Sequence, residues 1–232
     1  MVRRLAKYDA IFLDVDGTIL WVDLDVEGYV GDLAPYSKNG PLTVEAATGP
    51  VWQSVGRHIA ENIKHRSEES LAGFKADNAR VTAQALGVEA PPDVLTQIAD
   101  RRISFNPFAE AVPVMEELRS MGLPIYIVSN WDVLLHEVLE DLGWTYYFED
   151  IIASAVVGVE KPERGIFDEA LRVSGVSPDR VLHVGNDPVT DIEGASSLGI
   201  DAAFIDRKGD GEHPLAVVSM LDLSGLPDFV RS

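Results

Sequence analysis

Cysteine is absent from the 232 residues. That excludes disulfides, thiolate metal sites and a cysteine nucleophile together. No apolar run approaches the ~20 residues that a membrane span needs, so a membrane is not an expected partner. Basic residues are scarce: 19 Lys and Arg stand against 38 Asp and Glu, a net charge of -19. Such a surface repels nucleic-acid backbones and anionic lipid, and no nucleic-acid polymer is expected to bind. A small anionic substrate is also repelled at long range, so a local cation must reverse the field where it docks. The first residues begin basic and turn apolar, but Asp9, Asp14 and Asp16 interrupt the stretch. That is not a secretory signal pattern, and a cytoplasmic protein is expected.

What is present is an ordinary globular composition, 46% hydrophobic and 25% charged. The length suits one domain with an insertion, or two small domains. Continuous apolar runs at 10–13, 125–128, 151–153, 181–184 and 202–205 read as parallel strands covered on both faces. Helical periodicity fills 108–120, 133–142 and 165–173. A further helix over 192–198 is expected behind Thr190-Asp191-Ile192-Glu193, which reads as a capping box. Strand alternating with helix predicts an α/β fold, a Rossmann-like doubly wound parallel sheet. Residues 20–105 break the rhythm. A Gly/Pro-rich lead is followed by helical stretches around 51–63, 69–86 and 92–103, with no convincing buried strand. The expected organisation is a core domain from 1–19 and 106–232, with an inserted, mostly α-helical cap domain over 20–105.

In an open α/β sheet, ligands bind beyond the carboxyl ends of the strands. Asp14-Val15-Asp16-Gly17-Thr18 follows the first run and Ser129-Asn130 the second. Glu160-Lys161-Pro162 comes after the third, and Gly185-Asn186-Asp187-Pro188-Val189-Thr190-Asp191 after the fourth. Clustered carboxylates can hold a hard divalent cation. Cation and lysine can neutralise a phosphoryl group, and a carboxylate can attack phosphorus to give an acyl phosphate. Each piece alone has a plainer reading. Ser129-Asn130 suits a helix cap, Lys161 a solvated surface, and Asp187 and Asp191 the favourable start of a helix. A calcium loop of the EF-hand kind is excluded, because Gly17 is fourth from Asp14 and not sixth.

The ordered set resembles the haloacid dehalogenase-like (HAD) hydrolase superfamily, in its branch with a helical cap and a DxDGT first motif. Ser129, Lys161 and the 185–191 loop resemble its second, third and fourth motifs. The resemblance implies that Asp14 is a nucleophile forming an aspartyl phosphate and that Asp16 is the general acid and base. It implies phosphate binding by Thr18, Ser129, Asn130 and Lys161, and Mg²⁺ held by Asp14 and the main-chain carbonyl of Asp16. The fourth motif departs from the usual Gly-Asp, because Asn186 follows Gly185. Asp187 is therefore the expected second carboxylate, Asn186 the neutral alternative, and Asp191 a support for Lys161 or the loop. Dehalogenases of the superfamily lack an acid at the position of Asp16. A halide needs no proton on departure and an ester oxygen does, so phosphoryl chemistry on a small phosphate ester is expected. A phosphomutase would share all four motifs. A non-catalytic binding protein would be expected to have lost Asp14, Asp16 or Lys161. Arg57, Lys64 and Arg80 are candidates for substrate contact from the cap, and Trp21 and Tyr29 for the entrance or the core. His136 and His183 read as structural.

Overall fold

The computed structural model describes residues 7–209 and 211–232. The strands among them are β1 (Ala10–Leu13), β2 (Leu20–Leu24), β3 (Ile103–Pro107), β4 (Ile125–Ser129), β5 (Asp150–Ala153), β6 (Val181–Gly185), β7 (Asp201–Ile205) and β8 (Val218–Met220). Six form one sheet in the order β5-β4-β1-β6-β7-β8, with every neighbouring pair parallel. The continuous apolar runs account for this. All four residues of β1 and all five of β6 are buried, so both faces of the strand need covering and alternation would be wrong. Phe12, Val128, Phe167, Ile192 and Phe204 meet in one of the packed clusters.

The chain runs from β1 to β4 and β5 on one side, then returns to place β6 on the other side of β1. Neighbouring connections therefore diverge at β1, which opens a crevice beyond its carboxyl end. Register sets what lines it. Leu13 stands opposite Ile127 in β4 and Val184 in β6. Asp14, one residue further on, is level with Val128, next to the end of β4, and with Gly185, the last residue of β6.

Two compact units divide the chain. One holds the residues up to Trp21 and from Pro107 onward; the other is Val22–Asn106. The second unit contains α1 (Val26–Leu33), α2 (Val44–Glu61), α3 (Glu68–Ala85) and α4 (Pro92–Asp100). Tyr29, Leu33, Val51, Ala83, Leu95 and Ile98 form its own core. Tyr29 is thus a core residue of this unit. No helix among the described residues is long and apolar enough to cross a membrane.

Three local expectations give way. The Gly/Pro-rich lead contains α1, because Asp25 accepts the Gly28 N–H as its N-cap and Tyr29, Val30 and Leu33 share one buried face. Helix α2 starts at Val44 and runs through Pro50, seven residues ahead of the expected start. The capping box at Thr190 is not where the last helix opens. Asp187 caps a wide helical turn over Pro188–Glu193, accepting from the amides of Val189 and Thr190. Thr190 and Glu193 already lie inside it.

Candidate active site

Asp14 leaves the end of β1 and is 6% exposed. Oδ1 accepts from the Lys161 ammonium at 2.6 Å and the Ser129 hydroxyl at 3.0 Å. Oδ2 faces the Thr18 hydroxyl at 3.2 Å, which also lies 3.2 Å from Asn186 Oδ1. One carboxylate thus has a cationic, donor-rich side and an oxygen-rich side. Asp16, two residues along, is exposed. The turn between needs glycine: Gly17 has φ +79°, and a Cβ there would sit 2.3 Å from Asn186 Nδ2.

Lys161 is 2% exposed and reaches a second carboxylate, Asp191 Oδ1, at 2.6 Å. Asp191 Oδ1 also pairs with His183 Nε2 at 2.9 Å, and Oδ2 accepts the Asp187 N–H at 3.0 Å. A carboxylate only accepts, so the proton lies on His183 Nε2. Nδ1 is buried without a partner among the described residues. Gly185 is required here too, since a Cβ would meet Asp191 Cγ at 2.2 Å. Burial pushes the Asp14 carboxyl up, with Lys161 opposing that and Asp191 adding repulsion. Burial also works against the Lys161 charge, but Asp14 and Asp191 outweigh it and hold the ammonium above the ordinary lysine value. Asp191 meets the same desolvation, yet Lys161 and His183 keep it below the usual carboxylate range.

Asp14, Thr18, Ser129, Lys161, Asn186 and Asp191 therefore converge as the motifs predict. Two expected roles do not fit their side chains. Asn130 is not aimed at a phosphate: its Nδ2 donates to the Lys161 carbonyl at 2.8 Å and its Oδ1 accepts the Lys161 N–H at 2.7 Å. It clamps the backbone that carries the ammonium. Asp187 uses Oδ1 for the amides of Val189 at 2.9 Å and Thr190 at 2.7 Å, while Asn186 Oδ1 faces the Thr18 hydroxyl. His183, read from sequence as structural, is bonded directly into the network.

The donor set can be tested against Mg²⁺. No three His, Cys, Asp or Glu side chains converge as a metal cage among the described residues. What does meet, at the Thr18 hydroxyl, is a carboxylate oxygen of Asp14 and the amide oxygen of Asn186, each 3.2 Å away. Mg²⁺ is commonly held by one or two carboxylates and keeps several waters, so this hard-oxygen set fits it. Imidazole and thiolate, which favour Zn²⁺, contribute nothing on that side.

Comparison with known proteins agrees with the geometry. Residues 8–199 match the haloacid dehalogenase-like hydrolases. The chain belongs to that family. Over 205 residues this HAD-family chain is 29% identical to a glyceraldehyde 3-phosphate phosphatase of Methanothermobacter thermautotrophicus, covering 86% of each. Over 184 residues it is 31% identical to a phosphoserine phosphatase of Thermus thermophilus, covering 79% of this chain and 66% of the relative. The same fold occurs in the putative HAD-hydrolase YfnB of Bacillus subtilis, solved bound to magnesium. There the TM-score is 0.67 at 21% identity, over 97% of this chain and 100% of that one.

Proposed function

We propose that this HAD-family hydrolase is a Mg²⁺-dependent phosphatase of a small phosphorylated metabolite in the cytoplasm, working through an aspartyl phosphate on Asp14. The observation that carries the reading is the Asp14 carboxylate, flanked by the Lys161 ammonium and the Ser129 hydroxyl, with Asp16 two residues away. The relatives named for glyceraldehyde 3-phosphate and phosphoserine support a small phosphate monoester as substrate.

Asp14 Oδ1 attacks phosphorus and the P–O ester bond breaks, leaving its electron pair on the departing oxygen. Asp16 gives that oxygen a proton, which contributes about 10²–10⁴-fold when the leaving group is basic. Lys161 and Ser129 hold the phosphoryl oxygens as charge builds, and Thr18 lies beside them. Asp16, now a carboxylate, takes a proton from water as water attacks phosphorus, and Asp14 departs as the free carboxylate. Asp14 through its Oδ2 side, the Asp16 carbonyl and Asn186 Oδ1 would hold Mg²⁺. When bound, the ion supplies charge neutralisation for the phosphoryl group. Asp191, His183 and Asn130 keep Lys161 in position.

The test is a panel of phosphate esters with and without Mg²⁺, read as phosphate release. Triose phosphate, phosphoserine, phosphoglycolate, sugar phosphates and nucleoside monophosphates belong in it. Mg²⁺-dependent turnover of at least one is expected. No release from any of them, aryl phosphate included, would sink the reading.

A further inference from the structure

Arg207 stands two residues past the end of β7, the strand that pairs with β6. Its guanidinium donates from Nε to the Gly17 carbonyl at 2.9 Å and from an Nη to the Thr18 carbonyl at 2.5 Å. It lies over the Phe108 ring, 3.3 Å from the centroid, and pairs with Glu110 at 2.8 Å. The loop presenting it is ordered by Asp206, whose two oxygens accept the amides of Gly209 and Gly211 at 3.1 and 2.7 Å.

The turn that Arg207 grips is the one immediately after Asp16. Its amides are satisfied inward: Thr18, Ile19 and Leu20 all donate to the Val15 carbonyl, at 3.1, 2.9 and 3.2 Å, and Gly17 donates to Leu20. The carbonyls of Gly17 and Thr18 both accept from Arg207. Buried or half-buried carbonyls without partners are costly, so a turn that lost this fork would relax. Asp16 is joined directly to it. The planar guanidinium supplies two parallel donors and a stacking face at once, which a lysine ammonium does not.

We propose that Arg207 is a positioning residue for Asp16, setting the turn from which the general acid reaches the leaving oxygen. This rests on the phosphatase reading. The signature is selectivity by leaving group. Departure of an alkyl leaving group needs the acid and that of p-nitrophenol scarcely does, so misplacing Asp16 lowers kcat/KM, which covers the steps up to that departure and not the later attack of water, for the first ester and spares it for the second.

The experiment measures kcat and KM of the full-length chain for an alkyl phosphate identified in the panel and for p-nitrophenyl phosphate, with a melting curve for each variant. Arg207→Lys is expected to lower kcat/KM on the alkyl ester by about tenfold or more and on the aryl ester by less than about threefold, while kcat falls on both where attack of water on the aspartyl phosphate limits turnover. Glu110→Gln frees the guanidinium from one anchor and should shift the same ratio more weakly, so it decides the matter if Arg207→Lys does not fold. In an Asp16→Asn background, Arg207→Lys should cost nothing further on the alkyl ester, because the two act as a unit. Equal losses in kcat/KM on both esters, or additive losses with Asp16→Asn, overturn the positioning role and leave the phosphatase reading standing. A wild-type chain inactive on both esters removes the reading and the proposal together.

Discussion

Ion pairs occur in both units, and length does not tell them apart. In the core, Lys161 lies 2.6 Å from Asp14 and from Asp191. In the insert, Arg102 lies 2.6 Å from Asp32 and Arg57 lies 3.0 Å from Asp77. What separates them is water. The Lys161 side chain is 2% exposed and that of Arg57 is 32% exposed. An exposed pair is screened and loses entropy in holding its geometry. A buried network has no solvent to fall back on, so removing one member leaves its partners uncompensated. Position relative to solvent therefore decides which pairs the fold depends on and which it can lose at little cost.

The comparison can be pressed hardest at Asp14. Asp14→Asn keeps the shape and removes the attacking charge, so turnover should fall by roughly 10³-fold or more while the melting curve still shows a folded protein. Near-wild-type turnover would end the covalent mechanism. Lys161→Met tests the network as structure. It should lower the urea-unfolding free energy by about 3–5 kcal/mol. The sign with pH comes from Asp14, whose carboxyl burial already pushes up. A carboxyl with a raised folded-state pKa binds more protons folded than unfolded, so its penalty grows as pH rises. Without Lys161 the deficit should be larger at pH 8 than at pH 5; a pH-independent deficit would count against Asp14 as the stranded charge.

His183 offers a finer cut. A Gln side chain can place an amide N–H where Nε2 donates to Asp191, and an Asn side chain mimics only Nδ1. His183→Asn should cost about 1–3 kcal/mol and His183→Gln distinctly less, compared by urea midpoints. The metal side comes next. Asn186→Ala should raise the Mg²⁺ concentration for half-maximal activity by roughly tenfold or more. Asp187→Asn should titrate like wild type and lower the melting temperature instead. The reverse ranking would return the ligand role to Asp187. The smallest effect belongs to the insert, where Arg57→Ala should leave the urea midpoint unmoved at moderate salt. A marked shift there would erase the contrast between the two units.

The parallel strands were legible because burial on both faces leaves a run of mostly apolar residues, as in Ile125–Ser129, which is apolar up to its terminal Ser129, and Val181–Gly185, which only His183 interrupts. Strands β2, β3 and β8 left no such trace, being short and largely exposed or half-buried. In the site, residue types at strand ends announced Asp14, Ser129 and Lys161. They could not announce which neighbour of a pair faces inward. Asn186 and Asp187 differ in direction, and the direction is set by Asp187 capping Pro188–Glu193. Asn130 was misread because its partners are backbone atoms of Lys161, and a bond to backbone leaves no mark on the partner's identity. Arg207 escaped for the same reason, although it stands two residues past the fifth apolar run, at another strand end open to the same test.

The place where the core chain departs and returns has a consequence for how this architecture can vary. The Phe108 amide donates to the Ile19 carbonyl at 3.0 Å, and the Trp21 and Phe108 rings lie 5.0 Å apart. The two ends of the excursion are thus fastened side by side within the core itself. Closing a loop between fixed neighbouring ends costs entropy that grows only with the logarithm of its length, about 0.6 kcal/mol for each doubling. The core is therefore nearly indifferent to how many residues lie between those ends. A lineage can lengthen, shorten or replace the excursion while β1, paired on both sides, stays as it is.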